Sequence, residues 1–179
     1  VISTALPAIA TDLGVGPITL KLALTSYMVA LAIFIPVSGW MADRYGAKKI
    51  FRAAILVFIA GSILCATSQS LIAFVGARFL QGMGGAMMTP VGRLVLLRTT
   101  KRSELVSAMA LLTIPALVGP LTGPPIGGFI TTYFSWHWIF LINIPVGILC
   151  AVICWRSMAS RETPTRKLPI DRTGFMLLL

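Results

Sequence analysis

The sequence predicts an all-α integral membrane protein: a bundle of six helices arranged as two inverted three-helix repeats. Three observations predict it. The 179 residues are 57% hydrophobic and 11% charged, with a mean hydropathy of +0.92, whereas a soluble domain carries about 25% charged residues. The apolar residues come in blocks of roughly twenty, the length that crosses a bilayer. The basic residues gather between alternate blocks, as loops on one side of a membrane do.

The first block offers only about ten residues before the polar Thr11-Asp12, too few for a span of ~20. No basic n-region with a small-residue cleavage site marks a secretory signal, and no Met opens the chain. Another apolar run is beginning at Met176-Leu177-Leu178-Leu179. The expectation is therefore a fragment, cut inside a first helix and inside a last one. Between them, spans are expected at about 21–42, 50–69, 71–97, 105–133 and 138–156, each near or above the ~20 residues required. This divides the chain into a transmembrane bundle over about 1–157, a cytoplasmic loop over about 158–172 and the start of a seventh helix over about 173–179. Backbone groups in lipid must bond internally, so the spans are helices or a closed barrel. Unbroken apolar runs, rather than alternation, exclude the barrel.

The second, fourth and sixth spans are each followed by a basic cluster. The first cluster is Arg44, Lys48, Lys49 and Arg52; the second is Arg98, Lys101 and Arg102; the third is Arg156, Arg161, Arg166, Lys167 and Arg172. Only Lys21, Arg78 and Arg93 of the 15 Lys and Arg lie elsewhere. The positive-inside rule puts these loops, and the N-terminus, in the cytoplasm. Despite a formal charge of +10, the clusters show no aromatic-basic groove pattern, which argues against a nucleic-acid partner. Trp136 and Trp138 are expected at the outer interface as part of an aromatic belt, and His137 between them reads as an interfacial residue. Cys65, Cys150 and Cys154 all fall in apolar blocks. No His or further Cys completes a metal set with them, so they read as small buried hydrophobes.

Four stretches stand out within this frame. Gly39-Trp-Met-Ala-Asp43-Arg44-Tyr-Gly46-Ala-Lys48-Lys49 forms a tight loop that needs Gly46 for a turn. Asp43 sits at the unfavourable end of a helix dipole and requires a compensating partner. In the fourth span, Arg78 lies about 12 Å from the outer end at 1.5 Å per residue, where an arginine costs ~2.5–3.5 kcal/mol on insertion scales. It should face a water-filled cavity or a polar partner, and Gln81, three residues on, shares its face. In the fifth span, Gly119, Gly123 and Gly127 recur every four residues as a small-residue stripe that admits a close neighbour. Pro120, Pro124 and Pro125 each remove an amide donor and disfavour a straight helix, which predicts a bent, close-packed segment. Finally, Pro36-Val-Ser-Gly39 in the second span echoes Pro120-Leu-Thr-Gly123 in the fifth. Matching interruptions in corresponding helices suggest inverted repeats.

With these residues in view, the chain resembles the N-terminal half of a major facilitator superfamily transporter. The loop motif carries that superfamily's pattern at Gly39, Asp43, Arg44, Gly46, Lys48 and Lys49. Arg78-Phe-Leu-Gln81-Gly82 resembles the fourth-helix motif whose Arg is implicated in proton coupling. Gly119-Pro-Leu-Thr-Gly123-Pro124-Pro-Ile-Gly127-Gly128 resembles the antiporter motif of exporters. Asn143-Ile-Pro145-Val-Gly147, and the short run Leu168-Pro-Ile-Asp171-Arg-Thr-Gly174 before more apolar sequence, are similar to the fourteen-helix drug:proton antiporters. The acidic residue that these antiporters often carry early in helix 1 would precede Val1.

The resemblance implies alternating access by two six-helix halves in the bacterial inner membrane, with efflux of drugs or other amphipathic molecules driven by inward proton movement. Arg78 would tune or relay the proton, and Thr25, Tyr27, Gln81, Met83, Met87 and Met88 would line a substrate cavity. Its partners would be the bilayer, a small-molecule substrate and protons, together with a periplasmic adaptor and outer-membrane channel. The competing readings are a metabolite exporter (an amino acid or siderophore, for instance) and a non-transporting membrane sensor of the same fold. An enzyme is not expected: the sequence has no HExxH, nucleophile–base pair or phosphate loop. Neither a metal nor a cofactor is implied, and the energy source would be the proton gradient.

Overall fold

A computed structural model describes residues 2–101 and 103–157. The expected cytoplasmic loop over 158–172 and the start of a seventh helix lie outside the described residues. Among the described residues, seven helices follow one another: α1 (Ile2–Asp12), α2 (Pro17–Tyr45), α3 (Ala47–Thr67), α4 (Leu71–Thr99), α5 (Leu105–Tyr133), α6 (Trp138–Leu141) and α7 (Asn143–Ser157). Among the described residues, five segments are long and apolar enough to cross a membrane: Ile18–Tyr45, Ala47–Thr67, Leu71–Leu97, Leu105–Tyr133 and Trp138–Arg156. They correspond to the five complete spans read from the sequence.

The boundaries have local causes. α2 begins earlier than hydropathy suggests because Pro17 occupies its first turn, where a missing N–H is harmless. It ends at Gly46, whose φ of +94° is one that L side chains rarely adopt. The Gly46 amide closes α2 on the Ala42 carbonyl at 3.0 Å, and the Gly46 carbonyl accepts from Ile50 at 3.1 Å to open α3. α4 starts at a Ser70 cap that accepts from the Ala73 amide at 3.3 Å. The sixth span corrects the sequence reading. It is not one continuous helix: α6 stops at Leu141 and α7 starts at Asn143. Pro145 has no N–H to give the Leu141 carbonyl, so the hydrogen-bond ladder lapses at this junction. The fifth span behaves in the opposite way. α5 runs unbroken through Pro115, Pro120, Pro124 and Pro125.

α4 is the centre of the bundle, packed along both α2 and α3; α6 and α7 pack on α3, and α1 lies against α5. Glycine permits the central contacts. A Cβ added at Gly84 would stand 2.6 Å from the Phe58 amide nitrogen and 2.8 Å from the Ala54 carbonyl oxygen of α3. One at Gly82 would stand 2.8 Å from the Tyr27 carbonyl of α2, and one at Gly61 of α3 would stand 2.6 Å from the Gln81 backbone nitrogen. Main chain thus meets main chain, the close approach that small residues allow in lipid. On the other flank of α3, a Cβ at Gly147 would meet Ile59 Cγ1 at 2.6 Å.

Two apolar clusters fill the ends. At the end bearing the α1–α2 and α3–α4 turns, Ile9, Leu20, Cys65, Phe74, Ile130, Ile139 and Phe140 pack together. At the end bearing the basic loops, Ala42, Ala47, Ile50, Ala54, Met87, Val91 and Val95 form the second cluster. The expected aromatic belt is corrected by half. Trp138 is 53% exposed, but Trp136 is only 4% exposed. Its ring packs edge-on against Phe74 and Phe140 and stacks on His137 at 3.7 Å.

Gly84→Ala or Gly61→Ala should lower stability by about 1–3 kcal/mol through overpacking against backbone that cannot yield. Gly76→Ala should be neutral or slightly stabilising, because nothing lies within 4 Å of a Cβ there and Ala is the better helix former. Thermal unfolding of the purified variants in detergent checks this, and equal midpoints for all three would overturn the close-approach account.

Candidate functional site

Arg78 is the eighth residue of α4, which puts it about 10 Å along the helix axis from Leu71. It is 4% exposed and Gln81 is 2% exposed, so a cation is sequestered inside a membrane span. The compensation comes from three helices. Arg78 Nη1 donates to Gln81 Oε1 on the same face of α4. Gln81 Nε2 donates across to Ser62 Oγ on α3 at 2.7 Å, and Ser62 Oγ donates to the Phe58 carbonyl at 2.8 Å. Cys65 Sγ approaches Gln81 Oε1 at 3.9 Å. From α2, the Tyr27 ring lies 4.2 Å from the guanidinium carbon. Arg78 Nε is buried with no hydrogen-bond partner among the described residues.

The energetics are balanced. Insertion of an arginine costs ~2.5–3.5 kcal/mol. A hydrogen bond to a charged group returns about 1.5–3 kcal/mol, and a desolvated cation–π contact about 2 kcal/mol. Among the described residues no carboxylate reaches Arg78; the compensation is a neutral amide, an aromatic face and backbone.

The expected cavity residues separate into groups. Tyr27 and Gln81 belong to the arginine cluster, and Tyr27 is half-buried. Thr25 is exposed and its hydroxyl donates to the Lys21 carbonyl at 3.0 Å. Met87 is in the basic-end apolar cluster, and Met83 and Met88 pack against it beside Phe34, Met41 and Phe51. Gly82, Gly84 and Gly85 draw α2 and α3 onto α4, and within the described residues the flexible thioethers fill the space where the helices diverge. Two cavities, of about 310 and 460 Å³, lie at the α3–α4 turn; Thr67, Ser68 and Gln69 line both, and Asp12 and His137 line the larger.

In the loop between α2 and α3, Gly46 takes the turn and Asp43 is half-buried. The Arg44 guanidinium lies 5.3 Å from the Trp40 ring and 5.8 Å from the Tyr45 ring. Lys48 is half-buried and Lys49 exposed, and Gly39 has open space where a Cβ would stand. On α5, Gly123, Gly127 and Ile130 are buried on one face, and Ile130 joins the cluster that holds Ala5 and Ile9 of α1. Gly119 and Gly128 have nothing within 4 Å, and Pro124 is exposed. Among the described residues the stripe is packed at Gly123 and Gly127, and α1 lies against α5.

Sequence reasoning missed four contributors. Ser62 and Cys65 complete the arginine cluster from α3; the signal was Gly61-Ser62 in mid-span, a small residue that admits a helix beside a hydroxyl that needs a partner. Ser26 Oγ donates to the Val75 carbonyl at 3.1 Å, pinning α2 to α4. Asp12 Oδ2 accepts from Trp136 Nε1 at 3.1 Å, tying the end of α1 to the turn before α6. A carboxylate at a helix C-terminus requires such a donor.

A set of long apolar helices joined by short turns, with one guanidinium held at depth by neutral groups, defines a polytopic helical membrane protein built around a buried cation. The chain belongs to the Major Facilitator Superfamily, whose family profile matches residues 1–177. It is 46% identical over 178 residues to a protein of Serratia proteamaculans and 45% identical over 178 residues to one of Yersinia enterocolitica. Both carry the provisional name multidrug resistance protein MdtD. The matches take in 99% of this chain but 37% and 38% of those relatives, so the chain spans little more than a third of their length. A crystal structure of the peptide transporter POT, a mutant in complex with sulfate, shares the fold at a TM-score of 0.69 and 19% identity, over 92% of this chain and 35% of that one.

Gly123→Leu should destabilise the helix packing far more than Gly76→Leu at equal expression. Gly123 is buried, whereas Gly76 is exposed with open space around it, and a side chain in a small-residue contact pushes the partner helix away. Thermal unfolding in detergent checks this, and equal midpoints for both variants would reduce the stripe to tolerated glycine.

Proposed function

We propose that this chain works within a proton-driven exporter of drugs and other amphipathic small molecules in a bacterial inner membrane, with its basic loops in the cytoplasm. The observation that carries the reading is Arg78, a cation sequestered in a membrane span and held by groups from three helices. Such intramembrane charges are expensive to keep and mark ion or substrate pathways. The relatives named for multidrug resistance support the substrate class, and the bias of Lys and Arg supports the orientation. In this reading the buried arginine tunes proton exchange, Asp43 and its neighbours secure the turn between α2 and α3, and the 119–127 stripe of α5 is the surface on which the conformational cycle closes. The energy comes from the proton gradient, with no cofactor, metal or covalent chemistry. A periplasmic adaptor and an outer-membrane channel would complete the export route.

Arg78→Ala should abolish proton-driven efflux while the protein still reaches the membrane, and Arg78→Lys should fail to restore it fully, because an ammonium cannot present a donor edge and a flat face at once. Efflux from inverted vesicles under an imposed pH gradient measures this, and wild-type transport with a normal pH profile in Arg78→Ala would remove Arg78 from the mechanism. For the orientation, single cysteines at Ser103 and Ser135, both exposed, give the check. An impermeant thiol reagent applied to intact cells should label position 135 and spare position 103; the reverse pattern would invert the topology.

A further inference from the structure

Tyr27 is bound to α4 at three levels. Its ring lies 4.2 Å from the guanidinium carbon of Arg78. Its backbone carbonyl and ring Cδ2 stand 2.8 and 3.1 Å from where Gly82 would carry a Cβ. Its hydroxyl stands 3.1 Å from where Gly85 would carry one. The ring therefore lies along α4 over Gly82, with its hydroxyl at Gly85 and its face on Arg78. Tyr27 is half-buried, whereas Arg78 beneath it is 4% exposed, so the ring covers the cation.

The other groups around Arg78 leave this place to Tyr27. Gln81 Oε1 takes the Nη1 donor, and the guanidinium carbon lies over the Tyr27 ring. Cys65 on α3 approaches Gln81 Oε1, Tyr27 on α2 meets Arg78 itself, and α5 carries no charged side chain from Leu105 to Tyr133. The hydroxyl of Tyr27 lies against Gly85, and the contact with the cation is made by the ring, whose centroid lies 4.2 Å from the guanidinium carbon and whose face is negative.

We propose that Tyr27 is the positioning residue for Arg78: its ring, seated in the Gly82 and Gly85 trough, fixes the guanidinium and shields it from the transport path, and proton coupling depends on that ring and not on its hydroxyl. This rests on the reading of Arg78 as the proton-coupling residue.

The test uses the full-length protein in proteoliposomes and measures proton-driven efflux against pH, alongside downhill movement of the same substrate with no pH gradient. Tyr27→Phe should remain within about two-fold of wild type in both assays, with an unchanged pH profile. Tyr27→Leu should lose about ten-fold or more of proton-driven efflux, the scale of a desolvated cation–π contact, with a shifted pH profile and downhill movement preserved. If Tyr27→Leu fails to reach the membrane, Tyr27→Met, of similar length and without a ring, takes its place. An unchanged pH profile in the ringless variants, while Arg78→Ala abolishes coupling, would overturn the role of Tyr27 alone. Loss of coupling in Tyr27→Phe would overturn it too, by transferring the role to the hydroxyl. Wild-type coupling in Arg78→Ala would instead sink the reading on which the proposal rests. Equal loss of driven and downhill transport in the ringless variants would mark Tyr27 as packing only.

Discussion

The need to hold one guanidinium in a low-dielectric slab governs the rest of the bundle. Arg78 cannot reach water and meets no carboxylate among the described residues, so its charge is balanced by a carbonyl-type oxygen and an aromatic face. Both must be delivered at contact distance, and the deliverers sit on different helices. Gln81 is oriented by Ser62 on α3, and the ring comes from α2. Neither helix could come so near if α4 carried ordinary side chains. Gly82 and Gly84 on α4, with Gly61 on α3, remove the Cβ atoms that would stand in the way. Charge, hydrogen-bond chain and glycine contacts are thus a single solution. The apolar clusters at either end then need only fill the space left where the three helices diverge.

The two glycine-rich helices of this chain are in different packing states. On α4 the glycines are occupied: other main chain lies where their side chains would be. On α5, within the described residues, Gly123, Gly127 and Ile130 are buried on one face, while nothing in this chain lies within 4 Å of a Cβ at Gly119 or Gly128. Asp12 and Trp136 add a link between the α1–α2 turn and the turn before α6, so α1 is held to the bundle by more than its short contact with α5.

Much of this was legible in the sequence, for physical reasons. Spans were readable because lipid imposes a length and a composition together, and the turn between α2 and α3 was readable because Gly46 needs a positive φ. Arg78 was conspicuous because charge is rare at such depth, and Gln81 followed from helical spacing. What stayed hidden required knowing which helices touch. Ser62 and Cys65 look like ordinary small residues until α3 is laid on Gln81. Trp136 read as an interfacial aromatic because it stands beside Trp138 in the short outer loop, where an aromatic belt is expected; nothing local reveals that Phe74 and Phe140 converge on it. The methionines of α4 were read as cavity lining from their chemistry alone, and the same flexibility suits them to filling the gap beside Phe34 and Phe51. The break between α6 and α7 was available from Pro145 but was outweighed by the continuous hydropathy of the span.

The direction of the hydrogen-bond chain limits what Arg78 can do. Arg78 donates to Gln81, Gln81 donates to Ser62, and Ser62 donates to the main-chain carbonyl of Phe58. Each step runs away from the cation and the last acceptor is a peptide oxygen with no proton to pass on. A relay along this route would have to deposit a proton on an amide carbonyl, so the chain is a clamp and not a wire. An arginine clamped in this way contributes a fixed positive field, and a fixed field favours the deprotonated form of any carboxylate brought near it. In the proposed exporter Arg78 therefore acts by its field and its fixed position, and the proton itself is carried by another group.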